Sequence, residues 1–207
     1  MKGKGTILKK LLITGFDPFG GAAVNPSWLA VERLPNQAGD FEIYKKMIPT
    51  VFGAAAEAVL EEAEKVQPDV ILCVGQAGGR EAVTPERIAV NIRDARIPDN
   101  AGKQPRGEMV DPKGPAAYFA TVPVEKMAER IRQAGIPATV SNSAGAFVCN
   151  DVMYTLLHRY ADTAVKVGFI HVPYIPEQGS PSLPLKTIVD ALTAAIMACE
   201  TETGCCI

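Results

Sequence analysis

Two residues of this chain could do covalent chemistry together: a cysteine placed where a helix begins and a histidine placed where an apolar run ends. The stretch Ser141-Asn142-Ser143-Ala144-Gly145-Ala146-Phe147-Val148-Cys149-Asn150 reads as a strand end, a Gly-containing turn and the first turn of a helix that carries Cys149. A helix start has unpaired backbone N–H groups and a partial positive charge, and both favour thiolate over thiol. The same N–H groups could hold a developing oxyanion. The competing reading is a packed core cysteine, because free Cys is among the most buried residue types.

A catalytic thiol needs a base or a depressed pKa. The chain has two histidines. His158 follows Cys149 by nine positions on the same predicted helix, which separates them by about 13 Å along the axis. That excludes a hydrogen bond, and His158 reads as a surface residue near the helix C-terminus. His171 ends the apolar run Val167-Gly168-Phe169-Ile170 and precedes Val172-Pro173-Tyr174. It reads either as a strand-end base or as a half-buried side chain held by a carbonyl. An imidazole base needs a third group to fix its tautomer. With 23 carboxylates in the chain, spacing does not choose one; Glu86 and Asp94 flank a predicted strand and both qualify.

The elements that must position these groups alternate. Strands are expected at Ile7–Thr14, Phe41–Ile48, Asp69–Val74, Glu86–Ile92 (Ile88, Val90 and Ile92 on one face), Ala138–Ser141 and Val165–Val172. Helices are expected from Pro26 to about Leu34, and at Val51–Val66, Val124–Gln133, Phe147–Tyr160 and Pro184–Cys199. Pro26 suits a first helical position, and Gly135 and Pro137 suit a helix end. Alternation of this kind implies crossover connections: a single three-layer α/β/α domain, residues 1–207, with a mainly parallel central sheet. Ligands of such sheets sit outside the carboxyl ends of the strands. Gln76, Cys149 and His171 would therefore meet at one edge. The segment Arg93 to about Pro115, rich in Gly and Pro, reads as a long functional loop.

Composition narrows the classes. A formal net charge of −2 offers no basic field for nucleic acid or an anionic membrane. No run reaches transmembrane length, and Leu11-Leu12-Ile13 is too short for the apolar core of a signal segment. Five scattered cysteines argue against a disulfide framework and for a reducing, cytoplasmic setting. Gly75–Gly79 lacks dinucleotide-loop spacing, and two histidines without paired ligands make no zinc cluster. The expectation is no cofactor and no metal. Cys73, inside an apolar strand, reads as inert core rather than as the resolving thiol a redox sensor would want. The tail Glu200–Ile207, with Cys205-Cys206, reads as a frayed terminus.

Several separated blocks are specific enough to carry a resemblance. Leu12 through Gly21 with Asn25-Pro26-Ser27-Trp28, Val74 through Arg80 with Thr84-Pro85-Glu86-Arg87, Asp94 through Asn100, Ser141 through Asn150, and Gly168 through Gln178 together resemble pyroglutamyl peptidase type I, a cysteine peptidase family. The likeness runs from about Leu11 to Leu183. It implies removal of N-terminal pyroglutamyl residues from peptides through a thioester, with Cys149 as nucleophile, His171 as general base and then acid, and Glu86 as the orienting acid. It further implies transition-state support from Arg96 and a substrate pocket of Phe16, Phe19, Gln76 (through its backbone), Phe147 and Val148. A homo-oligomer, usually a tetramer, is implied as well. Ala101 stands where the family commonly has an acidic residue and Ala146 where it commonly has Thr; neither is in the implied triad. The substrate physics agrees. A flat, uncharged lactam asks for apolar walls and a few aimed hydrogen bonds. A site bonding the lactam carbonyl would reject proline, because a buried donor would be left unpaired.

Overall fold

Apolar runs bounded by Pro, Gly and Asn partition the described residues into thirteen elements. The computed structural model describes residues 8–200; Ile7, Cys205 and Cys206 lie outside the described residues. In chain order these are β1 (Lys9–Phe16), α1 (Pro26–Glu32), β2 (Gln37–Ala38), β3 (Phe41–Ile48), α2 (Ala54–Val66), β4 (Val70–Gln76), β5 (Thr84–Pro85), β6 (Ile88–Val90), β7 (Ala117–Phe119), α3 (Val124–Gln133), α4 (Val148–Arg159), β8 (Lys166–Val172) and α5 (Leu185–Met197).

The main sheet has the order β2-β3-β1-β4-β8-β5. Its four central strands are parallel, and the two short edge strands are antiparallel to their neighbours. Strands β1 and β4 are buried over nearly their whole length, as expected for strands covered on both faces. Their period of two splits the core. Leu11, Ile13, Leu72 and Val74 pack with residues of α1, α3 and α5, while Leu12, Ile71, Cys73 and Phe169 pack with residues of α2 and α4. The result is the expected three-layer arrangement. Because β1, β4 and β8 run the same way, Phe16, Gln76 and Val172 end at one rim.

The helix ends follow their sequence signals. Asn25 caps α1, its Oδ1 accepting from Ser27 N–H at 3.1 Å, and Pro26 takes the first turn. Such a cap contributes about 1 kcal/mol. Helix α2 starts after Gly53 and stops at Gln67, which adopts a left-handed conformation at φ 53° just before Pro68.

Three expectations need correction. Ala138–Ser141 does not form a regular strand. It makes isolated parallel bridges, Val83 to Ala138 and Glu86 to Ser141. The hydrogen bonds explain why: Val83 N–H to Pro137 O, Thr139 N–H to Val83 O, Ser141 N–H to Pro85 O and Arg87 N–H to Ser141 O form a parallel ladder, and Pro85 has no N–H for the missing rung. Glu86–Ile92 shortens to β6, paired with the unexpected β7. Its buried residue is Ala89, whereas Ile88 and Val90 are half-buried and Ile92 is exposed. Glu200, expected to fray, accepts a hydrogen bond from Asp40 N–H at 3.2 Å.

Helix α1 lies against β1 at Gly15, where a Cβ would stand 2.6 Å from the Trp28 Cα. Backbone cannot yield there as a flexible side chain would. Gly15→Ala is expected to cost about 2 kcal/mol or more, read as a fall of roughly 4–8 °C in the thermal unfolding midpoint; an unchanged midpoint would show that α1 can move away from the sheet.

Candidate active site

The rim of the sheet opens into a pocket of about 540 Å³ bordered by Phe16, Phe19, Gln76, Phe147, Cys149 and His171, among others. Each arrives on a different piece of the fold. Cys149 is the second residue of α4, after the N-cap Phe147. His171 is the penultimate residue of β8, in register with Gly75 of β4 on one side and Thr84 of β5 on the other. A Cβ at Gly75 would stand 2.9 Å from the Cys149 sulfur and 2.9 Å from the Phe169 ring. The missing side chain is therefore the space the thiol occupies, directly beside the strand that carries His171.

Glu86 completes the cluster. It is fully buried, and its Oε1 lies 2.7 Å from His171 Nδ1. A carboxylate only accepts, so Nδ1 carries the hydrogen and donates. In the neutral imidazole that leaves Nε2 with a free lone pair. The Arg80 guanidinium donates to the same Glu86 oxygen at 2.6 Å, to Thr84 Oγ1, and to Ser143 O at 3.3 Å. Arg80 thus ties the loop after β4 to Glu86 and to the turn that leads into Cys149. Asp94, the other carboxylate the sequence allowed, borders the pocket but is exposed, with its N–H on Ala146 O at 2.9 Å.

The walls are aromatic. Phe147 packs against Phe19 at 6.2 Å and edge-on to Phe52 at 5.3 Å between ring centroids, and Phe16 lies 6.3 Å from Phe169. Arg96 and Ile97 reach the pocket on the long loop. That loop is fastened: Asp99 accepts from Phe52 N–H at 2.9 Å, Asn100 donates to Asp17 Oδ1 at 3.2 Å, and Asn100 N–H donates to Thr50 O at 3.0 Å.

Comparison with known proteins places this arrangement. The family profile described as pyroglutamyl peptidase matches residues 9–202. The chain belongs to the pyroglutamyl peptidase family. It is 54% identical over 196 residues to the pyrrolidone-carboxylate peptidase of Levilactobacillus brevis, spanning 91% of this chain and 96% of that one. To the protein of the same name from Bacillus subtilis it is 50% identical over 200 residues, spanning 93% of each. The crystal structure of Bacillus amyloliquefaciens pyroglutamyl peptidase I superposes with a TM-score of 0.89 at 48% identity, covering 92% of this chain and 96% of that one.

Pyroglutamyl peptidases are cysteine peptidases, so the ionisation of Cys149 matters most. Burial, and then the charge of Glu86, push this thiol from its ordinary 9.0 up to about 12, against the opposing pull of Arg80 and the Cys149 backbone N–H. The expected preference for thiolate is thus overturned in the free enzyme. A helix start is worth about 0.3–1 kcal/mol, less than one pKa unit, and burial exceeds it. Burial also lowers the His171 pKa, outweighing the raising effect of Glu86, while Arg80 lowers it further. Burial alone would raise the Glu86 carboxyl, but His171, with Ser141 and Arg80, holds it below the usual carboxylate value. Glu86 Oε2 itself makes no hydrogen bond of acceptable geometry. These shifts favour a neutral thiol, a neutral imidazole and a charged carboxylate.

Other expected residues fall in two groups. Val148 is fully buried, its side chain packed in the core shared by α2 and α4 rather than on the pocket wall. Its backbone N–H stays at the helix start, as the first residue of α4. His158 is remote, at the far end of α4, bonded to Tyr118 OH at 2.7 Å and to Asp111 at 3.2 Å. Cys73 is fully buried, its thiol pushed up to about 12 by burial. Arg80 does not stand out among its sequence neighbours; its one signal is its place in a block that carries the family resemblance, six residues before Glu86. Among the described residues, no group of three or more His, Cys, Asp or Glu could hold a metal ion, and no helix is long and apolar enough to cross a membrane.

Arg80 lowers the Cys149 pKa, so removing its charge should raise that pKa further. Alkylation of Cys149 by iodoacetamide, followed by mass spectrometry of its peptide, is expected to slow about threefold or more in Arg80→Gln at any pH below the thiol's pKa, half a pKa unit being worth about threefold. Unchanged rates across pH 6–9 would remove Arg80 from the electrostatics of the site.

Proposed function

We propose that this protein hydrolyses the amide bond after an N-terminal pyroglutamyl residue of a peptide, with Cys149 as nucleophile, His171 as general base and then acid, and Glu86 orienting the imidazole. The observation that carries the reading is the buried 2.7 Å Glu86–His171 contact behind a pocket that both His171 and Cys149 border. Family membership supports the substrate class.

The steps follow from the resting protonation state. With the thiol protonated, attack must be coupled to proton transfer. His171 Nε2 takes the Cys149 proton as Sγ bonds to the pyroglutamyl carbonyl carbon. The imidazolium formed is stabilised by Glu86, which stays ionised. Negative charge on the carbonyl oxygen falls to backbone N–H groups of the first turn of α4, and Arg96 supports it. Collapse breaks the C–N bond, and His171 gives its proton to the departing amine. A water molecule, deprotonated by His171, then attacks the thioester, and pyroglutamate leaves as the thiol is restored. Phe16, Phe19 and Phe147 enclose the ring, Gln76 offers it backbone hydrogen bonds, and Val148 contributes through its backbone.

Cys149→Ala is expected to abolish release of a chromophore from a pyroglutamyl amide while leaving the unfolding midpoint within about 2 °C of wild type, and prolyl amides should be poor substrates of the wild type. His158→Asn should keep kcat/KM within about threefold, because its partners lie away from the pocket. Because the His171 pKa is lowered, kcat/KM should hold as pH falls to about 6.5 and decline only below that, as the base becomes protonated. Activity in Cys149→Ala, or an acid limb well above pH 6.5, would sink the assignment.

We also infer a homo-oligomer, a tetramer by family likeness, working in the cytoplasm. Free thiols at Cys73, Cys149 and Cys199 suit a reducing compartment, and the apolar side chains of Phe119 (68% exposed) and Met109 (51%) suit burial against another copy. Light scattering is expected to give a multiple of the 22.0 kDa chain mass; a monomer at micromolar concentration would overturn it.

A further inference from the structure

Arg80 reaches the buried carboxylate from a loop that turns sharply to deliver it. Gly79 sits at φ 86°, a left-handed conformation that glycine adopts without cost, and Arg80 N–H donates to Ala77 O at 3.3 Å. The Tyr174 ring lies so close over Gly78 that a Cβ there would clash with it. The guanidinium is thereby folded back over β5, bonded to Thr84 Oγ1 and to Glu86 Oε1.

Its place relative to His171 has a consequence for the reaction. Arg80 Nη1 and His171 Nδ1 lie 2.6 and 2.7 Å from the same Oε1, while Oε2 has no partner. Both donors meet at one atom, so an imidazolium would have a guanidinium within about 5 Å, close enough for strong repulsion. Solvent screens that repulsion only in part, since the Arg80 side chain is 30% exposed and Glu86 not at all. The other groups around the imidazole are Gly75 of β4, Thr84 of β5, the Phe169 ring and the Cys149 thiol, with Asp94 and Arg96 exposed on the long loop. Glu86 favours the imidazolium and Arg80 opposes it. For the transfer from Sγ to Nε2 the two effects of Arg80 oppose each other, because it lowers the pKa of thiol and imidazole alike. In the next step nothing offsets it. There Nε2–H gives its proton to the departing nitrogen, the C–N bond breaks, the S–C bond stays, and the imidazole returns to neutral. A cation beside the imidazolium favours that transfer.

We propose that Arg80 is a positioning residue for leaving-group departure: held on the oxygen that His171 shares, it drives the imidazolium proton toward the nitrogen of the departing amine. The assignment rests on the proposed hydrolysis for the identity of that amine. It makes the enzyme selective by leaving group. An amine needs the proton in order to depart, whereas a phenolate leaves without one, so the contribution of Arg80 belongs to peptides and not to aryl esters.

The test uses two variants and two readouts. Arg80→Gln removes the charge; Arg80→Lys keeps it but loses the fork that also holds Ser143 O. The chain's other histidine is His158, so in a His158→Asn, Cys149→Ala background an NMR titration of the ring protons reads His171 alone and needs no turnover. There Arg80→Gln should raise the His171 midpoint by about half a pH unit or more, and Arg80→Lys by less than about 0.2. With Cys149 intact, kcat/KM is measured on a pyroglutamyl peptide and on pyroglutamyl 4-nitrophenyl ester. The peptide-to-ester ratio should fall about threefold or more in Arg80→Gln and stay within about twofold of wild type in Arg80→Lys. A merely structural role would slow both substrates together, and would weaken Arg80→Lys as much as Arg80→Gln, with the midpoint unmoved. That pattern overturns the inference, as does a midpoint that falls in Arg80→Gln or a large shift in Arg80→Lys. A wild type that cleaves neither substrate sinks the hydrolysis reading and this inference with it; an active wild type whose midpoint and ratio ignore Arg80 sinks this inference alone.

Discussion

A negative charge with no access to solvent is what the site is arranged around. An isolated buried carboxylate would cost several kcal/mol and would take up a proton instead. Glu86 stays ionised because an imidazole and a guanidinium converge on one of its oxygens, at 2.7 and 2.6 Å. The backbone around it is equally committed: Glu86 N–H bonds to Phe169 O of β8, and Arg87 N–H bonds to Ser141 O. One carboxylate therefore fastens the sheet edge, the histidine strand, the Arg80 loop and the segment leading to the cysteine turn. The same contact sets the histidine tautomer, and so makes Nε2 the basic atom.

The rest of the fold brings the sulfur to the pocket that this imidazole also borders. The parallel register of β4 and β8 places Gly75 beside His171, and the bare Cα of Gly75 admits the thiol. The start of α4 is held from two further sides. Asn150 spans Val90 and Ile92 through their backbone groups, and Asp151 receives Arg93 at 2.6 Å and Gly53 N–H at 2.8 Å. Both residues are fully buried, so their bonds are strong and costly to break. They also tie the beginning of the long loop, which supplies Arg96, to the helix that supplies Cys149.

Local signals were readable where one element decides the outcome. Phe41–Ile48 and Val124–Gln133 have the bounds their patterning implies, and α1 begins at the proline its cap demands. Legibility failed where pairing decides. Strands β2 and β7 are two and three residues long, too short to show a period, and exist because β3 and β6 lie beside them. Ala138–Ser141, expected as a strand, makes only isolated bridges, because it loses a rung to Pro85, a residue more than fifty positions away. Within the site, Cys149 and His171 stood out by type and position, and the family blocks singled out Glu86. Arg80 did not stand out, because nothing in its neighbours reveals that a guanidinium will fold back over a carboxylate.

What the chain order alone determined is the alternation of apolar runs and amphipathic helices, hence the parallel sheet with a binding rim, and the presence of a cysteine at a helix start with a histidine at a strand end. These are consequences of short-range periodicity and of which residues can begin or end an element. What only the tertiary structure decided is the electrostatic character of the pair. The helix start should have favoured thiolate, yet burial and then the charge of Glu86 raise the thiol's pKa, because both come from elements distant in the chain that no local pattern records. Burial also lowers the pKa of the imidazole, so both groups are shifted toward their neutral forms.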